Sequence, residues 1–146
     1  ELPADVIGAD VPSEHFRHPL VHEMPRFAPG DDALVKAAEL INAGKRVALF
    51  CGVGCRDARE QVLALAEQLR APIVHTLRAK DVFDTSDGPV VGMTGLIGNP
   101  AGYHGVFDCD VLLMLGTDFP YDEFIPDGIE IIQVDHRADR IGLRRR

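Results

Sequence analysis

The residues of this chain that could take part in chemistry fall in five short stretches rich in glycine, hydroxyl or charged side chains. In chain order these stretches are "GVGC" (52–55), "TLRAK" (76–80), "TGLIG" (94–98), "GTDFPY" (116–121) and "DHR" (135–137). Each stretch follows an apolar run of residues. Backbone N–H groups at glycines and a few charged side chains are suited to hold a phosphate-bearing ligand.

Gly95 and Gly98 precede a helix that is expected to begin at Pro100, so their backbone could approach an anion at the positive end of that helix. A tight turn that requires a positive φ explains the same pair. Asp135 closes an apolar run and could accept hydrogen bonds from ribose hydroxyls. It could equally cap a helix that follows. Spacing alone leaves both choices open.

Arg78 and Lys80 follow another apolar run, where they could neutralise a diphosphate or simply be solvated charges. Phe119, Pro120 and Tyr121 are apolar residues in a predicted loop, where polar residues are the norm. They either form the wall of a flat ring system or dock the loop onto the core.

The motifs of several enzyme classes are absent. The chain contains no Walker A sequence and no G-x-S-x-G, and "GVGC" fails the G-x-G-x-x-G pattern because Asp57 occupies the third glycine position after Gly52 and Gly54. His75 and His104 lack the spacing of metal ligands. We therefore expect no catalytic residue and no metal ligand in this chain.

Composition and cysteine content limit the binding partners and the cellular compartment that we expect for this protein. The chain has 23 acidic and 15 basic residues and a net charge of −8, which makes nucleic acid an unexpected partner. Its cysteines, Cys51, Cys55 and Cys109, are odd in number, so we expect buried or loop thiols in a cytoplasmic protein rather than a disulfide framework. The basic cluster at 144–146 is interpreted as part of a cut linker.

Helical patterns begin after residue 30. The first helix is expected to start with a cap at residues 31–32 and to stop at Gly44. The second is expected to start with a capping box formed by Asp57 and Glu60, and the third with Asn99 as its cap.

Apolar runs alternate with these helices. The runs "RVALFC", "APIVHT", "DVLLML" and "IEIIQVD" read as strands, and the nearly all-apolar "RVALFC" fits a strand that is buried on both faces. The alternation predicts an α/β fold with a doubly wound, mostly parallel sheet and helices on both faces, whose ligands bind beyond the carboxyl ends of the strands. Residues 1–30, which contain five prolines, are expected to be an interdomain linker, and residues 31–146 the domain itself.

The run from "GKRVALFCGVGC" through "IVHTLRAK", "VVGMTGLIG" and "LLMLGTDFPY" to "IIQVD" closely resembles the central domain of thiamine-diphosphate-dependent enzymes. Within that family it is most similar to the pyruvate dehydrogenase (quinone) and pyruvate oxidase branch. The resemblance implies a six-stranded sheet, FAD bound in an extended conformation, and a larger three-domain chain. The first residue, Glu1 rather than Met, fits the expectation of a fragment.

The resemblance also implies which residues contact FAD, and the glycines among them are expected to let the cofactor lie against bare backbone. The predicted cofactor-binding residues are Thr94, Gly95, Leu96, Ile97, Thr117, Asp118, Phe119, Pro120, Tyr121, Asp135, Gly52, Gly54, Arg78 and Lys80. Asp135 is expected near the adenosine part. "RAK" departs from the "RGK" of the family at residues 78–80.

The function implied for the parent is oxidation of pyruvate to acetate and CO₂, with a quinone as the electron acceptor. Thiamine diphosphate and Mg²⁺ are expected in the flanking domains of the same chain, and this chain alone is expected to be inactive. The family also implies a homo-oligomer, a tetramer, that is cytoplasmic or peripheral on the inner face of the cell membrane. The alternatives are the central domain of an acetolactate-synthase-type carboligase and a structural domain that has lost nucleotide binding.

Overall fold

The computed structural model describes residues 27–144, together with residues 5, 8–10 and 12. Its main elements are α1 (Asp31–Ala43), β1 (Val47–Cys51), α2 (Arg59–Leu69), β2 (Ile73–His75), β3 (Val90–Met93), α3 (Pro100–Phe107), β4 (Val111–Leu115) and β5 (Glu130–Val134). Most of the expected linker at residues 1–30 falls outside the described residues, and the linker stays a prediction.

The strands form one sheet in the order β3-β2-β1-β4-β5, and every neighbouring pair is parallel. This arrangement confirms the predicted α/β fold. The described residues contain five strands, whereas six were expected. After β5 the Asp135 carboxylate accepts the Arg137 N–H at 2.9 Å, which closes a turn, and the chain then forms a short 3₁₀ helix at Ala138–Arg140.

Two hydrophobic layers cover the sheet. On one face Leu49 packs with Val62 and Ala66 of α2, and on the other face Phe50 packs with Val106 of α3. Successive residues of a strand point to opposite faces, so β1 contributes to both layers and is apolar throughout. The helices therefore lie on both faces, as the pattern predicted.

Helix α1 ends where the sequence predicted, before Gly44, but its start differs from the prediction. Asp31 and Asp32 lie inside the first turn, and the N-cap is Gly30, which offers no side-chain hydrogen bond. Carboxylates in a first turn still interact favourably with the helix dipole. The helix ends before Gly44, whose N–H bonds back to the last turn.

The capping box predicted from Asp57 and Glu60 is wrong. Helix α2 begins at Arg59, and its N-cap, Ala58, makes no side-chain hydrogen bond. The preceding residues, 53–58, form a 3₁₀ helix that places Asp57 before the α-helix starts. Tight turns after the strand thus use up the residues that the spacing had assigned to the cap.

The predicted cap of α3 is confirmed. The Asn99 side-chain oxygen accepts the N–H of Gly102 at 3.2 Å and the N–H of Met93 at 2.9 Å, and its amide donates to the Val91 carbonyl at 3.2 Å. Asn99 therefore fastens the first turn of α3 to the end of β3. Gly102 faces this contact, and a Cβ there would overlap the backbone of Met93.

We predict that Gly102→Ala destabilises the domain by about 2 kcal/mol, because the added carbon overlaps a backbone that cannot move without disturbing β3. Helix propensity alone would give the opposite sign. Urea unfolding measures the change. Gly30→Ala is the matched control, since nothing lies within 4 Å of its added carbon, and a comparable loss in both variants would contradict the prediction.

Candidate functional site

A cleft of about 650 Å³ opens at the carboxyl ends of β1, β2, β4 and β5. It is lined by residues 53–54, 76–78, 116–121 and 135–137, each of which follows a strand. The chain leaves β1 toward β2 on one side, while β4 and β5 lie on the other side of β1. The strand order thus reverses between β1 and β4, and ligands of doubly wound sheets bind at such a switch point.

The structure brings most of the predicted cofactor-binding residues to this cleft. Those that line it are Gly54, Arg78, Thr117, Asp118, Phe119, Pro120, Tyr121 and Asp135. Those that do not line it are Gly52, Lys80, Thr94, Gly95, Leu96 and Ile97. Four of the five stretches that follow apolar runs therefore meet at one place.

The fifth stretch, residues 94–98, lies next to the cleft. Gly95 has a φ of 114°, and a Cβ there would come within 3.1 Å of the Phe119 ring. Leu96 and Ile97 are largely exposed, whereas Thr94 is buried and its hydroxyl oxygen has no hydrogen-bond partner in the described residues. This segment borders the cleft across the Phe119 ring.

The glycines after β1 and β4 serve close contact between two backbone segments. A Cβ on Gly52 would overlap the carbonyl oxygen of Gly116, and one on Gly54 would lie 2.8 Å from the Gly116 Cα. Gly116 itself has a φ of 58°, and its carbonyl accepts the Gly54 N–H at 3.1 Å. The expected bare backbone is therefore mostly covered by other backbone, and only Gly54 of the predicted glycines also lines the cleft.

The sequence left two roles open for the aromatic residues of the loop after β4, docking the loop onto the core or forming a wall for a ring system. Phe119 and Tyr121 differ in this respect. The buried Phe119 ring stacks edge-on against Phe50 of the core at 4.9 Å and against Tyr121 at 5.4 Å. Tyr121 is 40% exposed and lines the cleft. Phe119 therefore docks the loop, and Tyr121 leaves a ring at the wall of the cleft.

Charged residues gather at the β5 end of the cleft. Asp135 has a side chain that is only 3% exposed, and it both caps the turn to Arg137 and lines the cleft. The Arg137 guanidinium lies 3.3 Å from the carboxylate of Asp118 in the β4 loop. The 3₁₀ helix that follows has Arg137 as its N-cap, so Asp135 closes a turn and does not cap a helix. Its place in the cleft keeps the ribose role as a prediction.

At the opposite end, Arg78 makes no ion pair with any described residue, although the loop that follows it is held by two ion pairs. Arg56 lies 2.7 Å from Asp81, and Arg59 lies 2.6 Å from Asp87. These contacts attach the segment after β2 to the start of α2. They fix the backbone that carries Arg78 and leave its own guanidinium available to a ligand.

Sequence reasoning missed part of the lining. Six residues line the cleft but were not predicted as ligand contacts: Val53, Thr76, Leu77, Gly116, His136 and Arg137. All six belong to the stretches that follow strands, so position after a strand was the signal. Their residue types carried no further indication.

The three cysteines are free and buried, as predicted. The Cys51 thiol hydrogen-bonds the Cys55 thiol, which raises the pKa of Cys51 and lowers that of Cys55. Burial raises the pKa of Cys109 to about 11. Within the described residues, no three His, Cys, Asp or Glu side chains could together hold a metal ion. The described helices include none that is long and apolar enough to cross a membrane.

Comparison with known proteins gives a family. The family model described as thiamine pyrophosphate enzyme, central domain, matches residues 34–146. The uncharacterized 42.6 kDa protein in the isoamylase 3′ region of Pseudomonas amyloderamosa is 49% identical over 109 residues, which is 75% of this chain and 28% of that protein.

Two further relatives cover more of the chain. The putative thiamine pyrophosphate-containing protein YdaP of Bacillus subtilis (strain 168) is 34% identical over 143 residues, which is 94% of this chain and 25% of YdaP. The probable acetolactate synthase large subunit of Methanocaldococcus jannaschii is 31% identical over 125 residues, 82% of this chain and 21% of that protein. The chain thus spans roughly a quarter of the length of these relatives.

We predict that Asp87→Asn lowers the free energy of unfolding at neutral pH. We also expect the free energy of unfolding of this variant to fall less than that of wild type when the pH is lowered. The Asp84 N–H and the Arg59 guanidinium hold the pKa of Asp87 below its ordinary value, so the stabilisation is present above the unfolded pKa and is lost as pH falls through the folded one. Urea unfolding between about pH 7 and pH 2 follows this difference. Asp57→Asn, on an exposed carboxylate of the same region, is the control, and parallel curves for Asp87→Asn and wild type would contradict the prediction.

Proposed function

Because the chain belongs to the central-domain family of thiamine pyrophosphate enzymes, we propose that it binds FAD within an enzyme that oxidatively decarboxylates pyruvate and passes the electrons to a quinone. Thiamine diphosphate and Mg²⁺ would be bound by flanking domains of the same parent chain. The assignment of FAD as the cofactor, pyruvate as the substrate and quinone as the electron acceptor depends on the resemblance of "GMTGLIG" and "GTDFPY" to the pyruvate-oxidising branch.

One observation carries the proposal: the switch-point cleft has, at one end, a guanidinium that pairs with no described residue and, at the other end, a buried carboxylate. Arg78 lies after β2, and Asp135 lies at the end of β5. An extended dinucleotide presents a diphosphate and, farther along, a ribose diol. A volume of about 650 Å³ is also within the usual range for a cofactor site.

The residues present fit such a ligand. Thr94 has a buried hydroxyl that finds no partner among the described residues, and an unsatisfied buried hydroxyl costs free energy. A ligand that extends past the Phe119 ring to residues 94–98 would satisfy this hydroxyl with an oxygen or nitrogen atom. Leu77 and Tyr121 are 56% and 40% exposed and offer apolar surface to a ring system.

FAD, when bound, would supply two-electron redox chemistry, and the chain would supply placement. Arg78 would neutralise phosphate charge, and Asp135 would accept hydrogen bonds from ribose hydroxyls. Leu77 and Tyr121 would exclude water from the ring. No side chain of this domain is assigned a proton transfer or a covalent step.

A second candidate function is that of a carboligase of the acetolactate synthase type. It is favoured by the 31% identity to the probable acetolactate synthase large subunit of M. jannaschii. Both candidates place a nucleotide in the same cleft, so they differ in the reaction of the parent and in the flanking domains.

We predict that FAD raises the melting temperature of the parent protein and that Arg78→Met weakens FAD binding about tenfold, since a charge-assisted contact to phosphate is lost. Saturation at ~100 times the Kd adds about 2.7 kcal/mol of stability, which a thermal-shift titration resolves. Lys36→Met removes an exposed charge on α1 as the control. A parent that takes up no FAD would indicate a domain that has lost nucleotide binding.

The two candidate reactions are separated by their products. We expect the purified parent, supplied with pyruvate, thiamine diphosphate, Mg²⁺ and a soluble quinone, to release acetate and to reduce the quinone in equal amounts. Acetolactate formed without quinone reduction would contradict the pyruvate:quinone assignment in favour of the carboligase. Product analysis by chromatography, with quinone absorbance followed in parallel, makes the distinction.

A further inference from the structure

Arg137 lies between two carboxylates at the β5 end of the cleft. Its Nη2 is 3.3 Å from an Asp118 oxygen, and its Nε is 3.6 Å from an Asp135 oxygen. The same Asp135 oxygen also accepts the Arg137 backbone N–H at 2.9 Å. The guanidinium is therefore engaged from two sides by residues that line the cleft.

Asp118 also holds a second arginine. Arg140 Nη1 is 3.3 Å from the Asp118 oxygen that Arg137 contacts, and Arg140 Nε is 3.1 Å from Asp139. Asp118 thus joins two guanidinium groups, one of which also contacts Asp139. While Asp118 holds these ion pairs, neither guanidinium is free to bind an additional phosphate.

Nucleotide-binding sites use these two residue types to distinguish a ribose 2′-hydroxyl from a 2′-phosphate. An acidic residue at the end of a strand hydrogen-bonds the ribose 2′-hydroxyl, whereas a nearby arginine accommodates a 2′-phosphate. Asp135 is of the first type, and Arg137 is of the second. Whether Asp135 or Arg137 contacts the ribose 2′ position depends on whether the Arg137 guanidinium is free. The ion pair with Asp118 keeps this guanidinium occupied.

We infer that Asp118 is a specificity-determining residue: by holding Arg137 and Arg140, it makes the cleft accept an adenosine ribose with a free 2′-hydroxyl and reject the 2′-phosphorylated form. This inference rests on the proposed nucleotide binding. Asp118 acts through the two arginines and is therefore a positioning residue. Without its charge, the two guanidinium groups would turn toward a 2′-phosphate.

The test compares two ligands that differ only by that phosphate, ADP-ribose and 2′-phospho-ADP-ribose. Each ligand competes with FAD for the parent protein, and FAD fluorescence reports the displacement. Wild type is expected to prefer ADP-ribose. Asp118→Asn should shift the ratio of the two affinities toward the phosphorylated ligand by about tenfold, the effect of one charge-assisted contact. Low salt, about 50 mM, limits the screening of these part-exposed charges.

Two further variants separate the inference from a general change of charge. Asp139→Asn changes the net charge equally but leaves the Asp118 contacts in place, so the ratio should stay near that of wild type. Adding Arg137→Met to Asp118→Asn should return the ratio toward the wild-type value. A structural defect would weaken both ligands alike and leave the ratio unchanged.

The outcomes are distinguishable. If the parent binds FAD but Asp118→Asn leaves the ratio unchanged, or Asp139→Asn shifts it equally, the inference is overturned while the proposed function stands. Failure of ADP-ribose to compete with bound FAD overturns the placement of adenosine at Asp135 and the inference with it. If the parent binds neither FAD nor ADP-ribose, the proposed function itself fails.

Discussion

The close contact between the turns after β1 and β4 is the constraint on which the site depends. Gly52 and Gly54 lie so near Gly116 that no side chain fits between them, and the contact lies where the strand order of the sheet reverses. Because these turns are held against each other, the loops that follow the other strands can meet around them. The main effect of these glycines is therefore to let the two backbone segments pack against each other at the base of the cleft. Exposing backbone to a ligand is the lesser effect.

The charges of the cleft are arranged by contacts that lie partly outside it. Arg59 and Asp87 fix the loop beyond β2, which keeps Arg78 at one end without neutralising it. At the other end, Asp118 and Arg137 join the loops of β4 and β5. Ion pairs that remain partly exposed, as these do, individually make only modest contributions to stability. Their effect here is to decide which charges a ligand meets.

Membership in the thiamine pyrophosphate enzyme family fixes the architecture of this domain but does not specify a reaction. The chain covers about a quarter of its relatives, and a fold hosts different activities according to the sites placed on it. The cleft described here offers placement and charge, which a redox enzyme and a carboligase could both use. Flavin binding and electron transfer are therefore separate questions for this protein.

The sequence alone determined the alternation of apolar strands and helices, the Asn99 cap and the position of the cleft-lining stretches after strands, because these follow from local periodicity and backbone chemistry. It misplaced the start of α2, since tight 3₁₀ turns compete with a capping box over the same residues. Only the tertiary structure decided that Phe119 docks and Tyr121 remains at the cleft, and that Asp118 holds Arg137. These pairings join residues of separate segments, and no spacing along a chain specifies which side chains meet when loops converge.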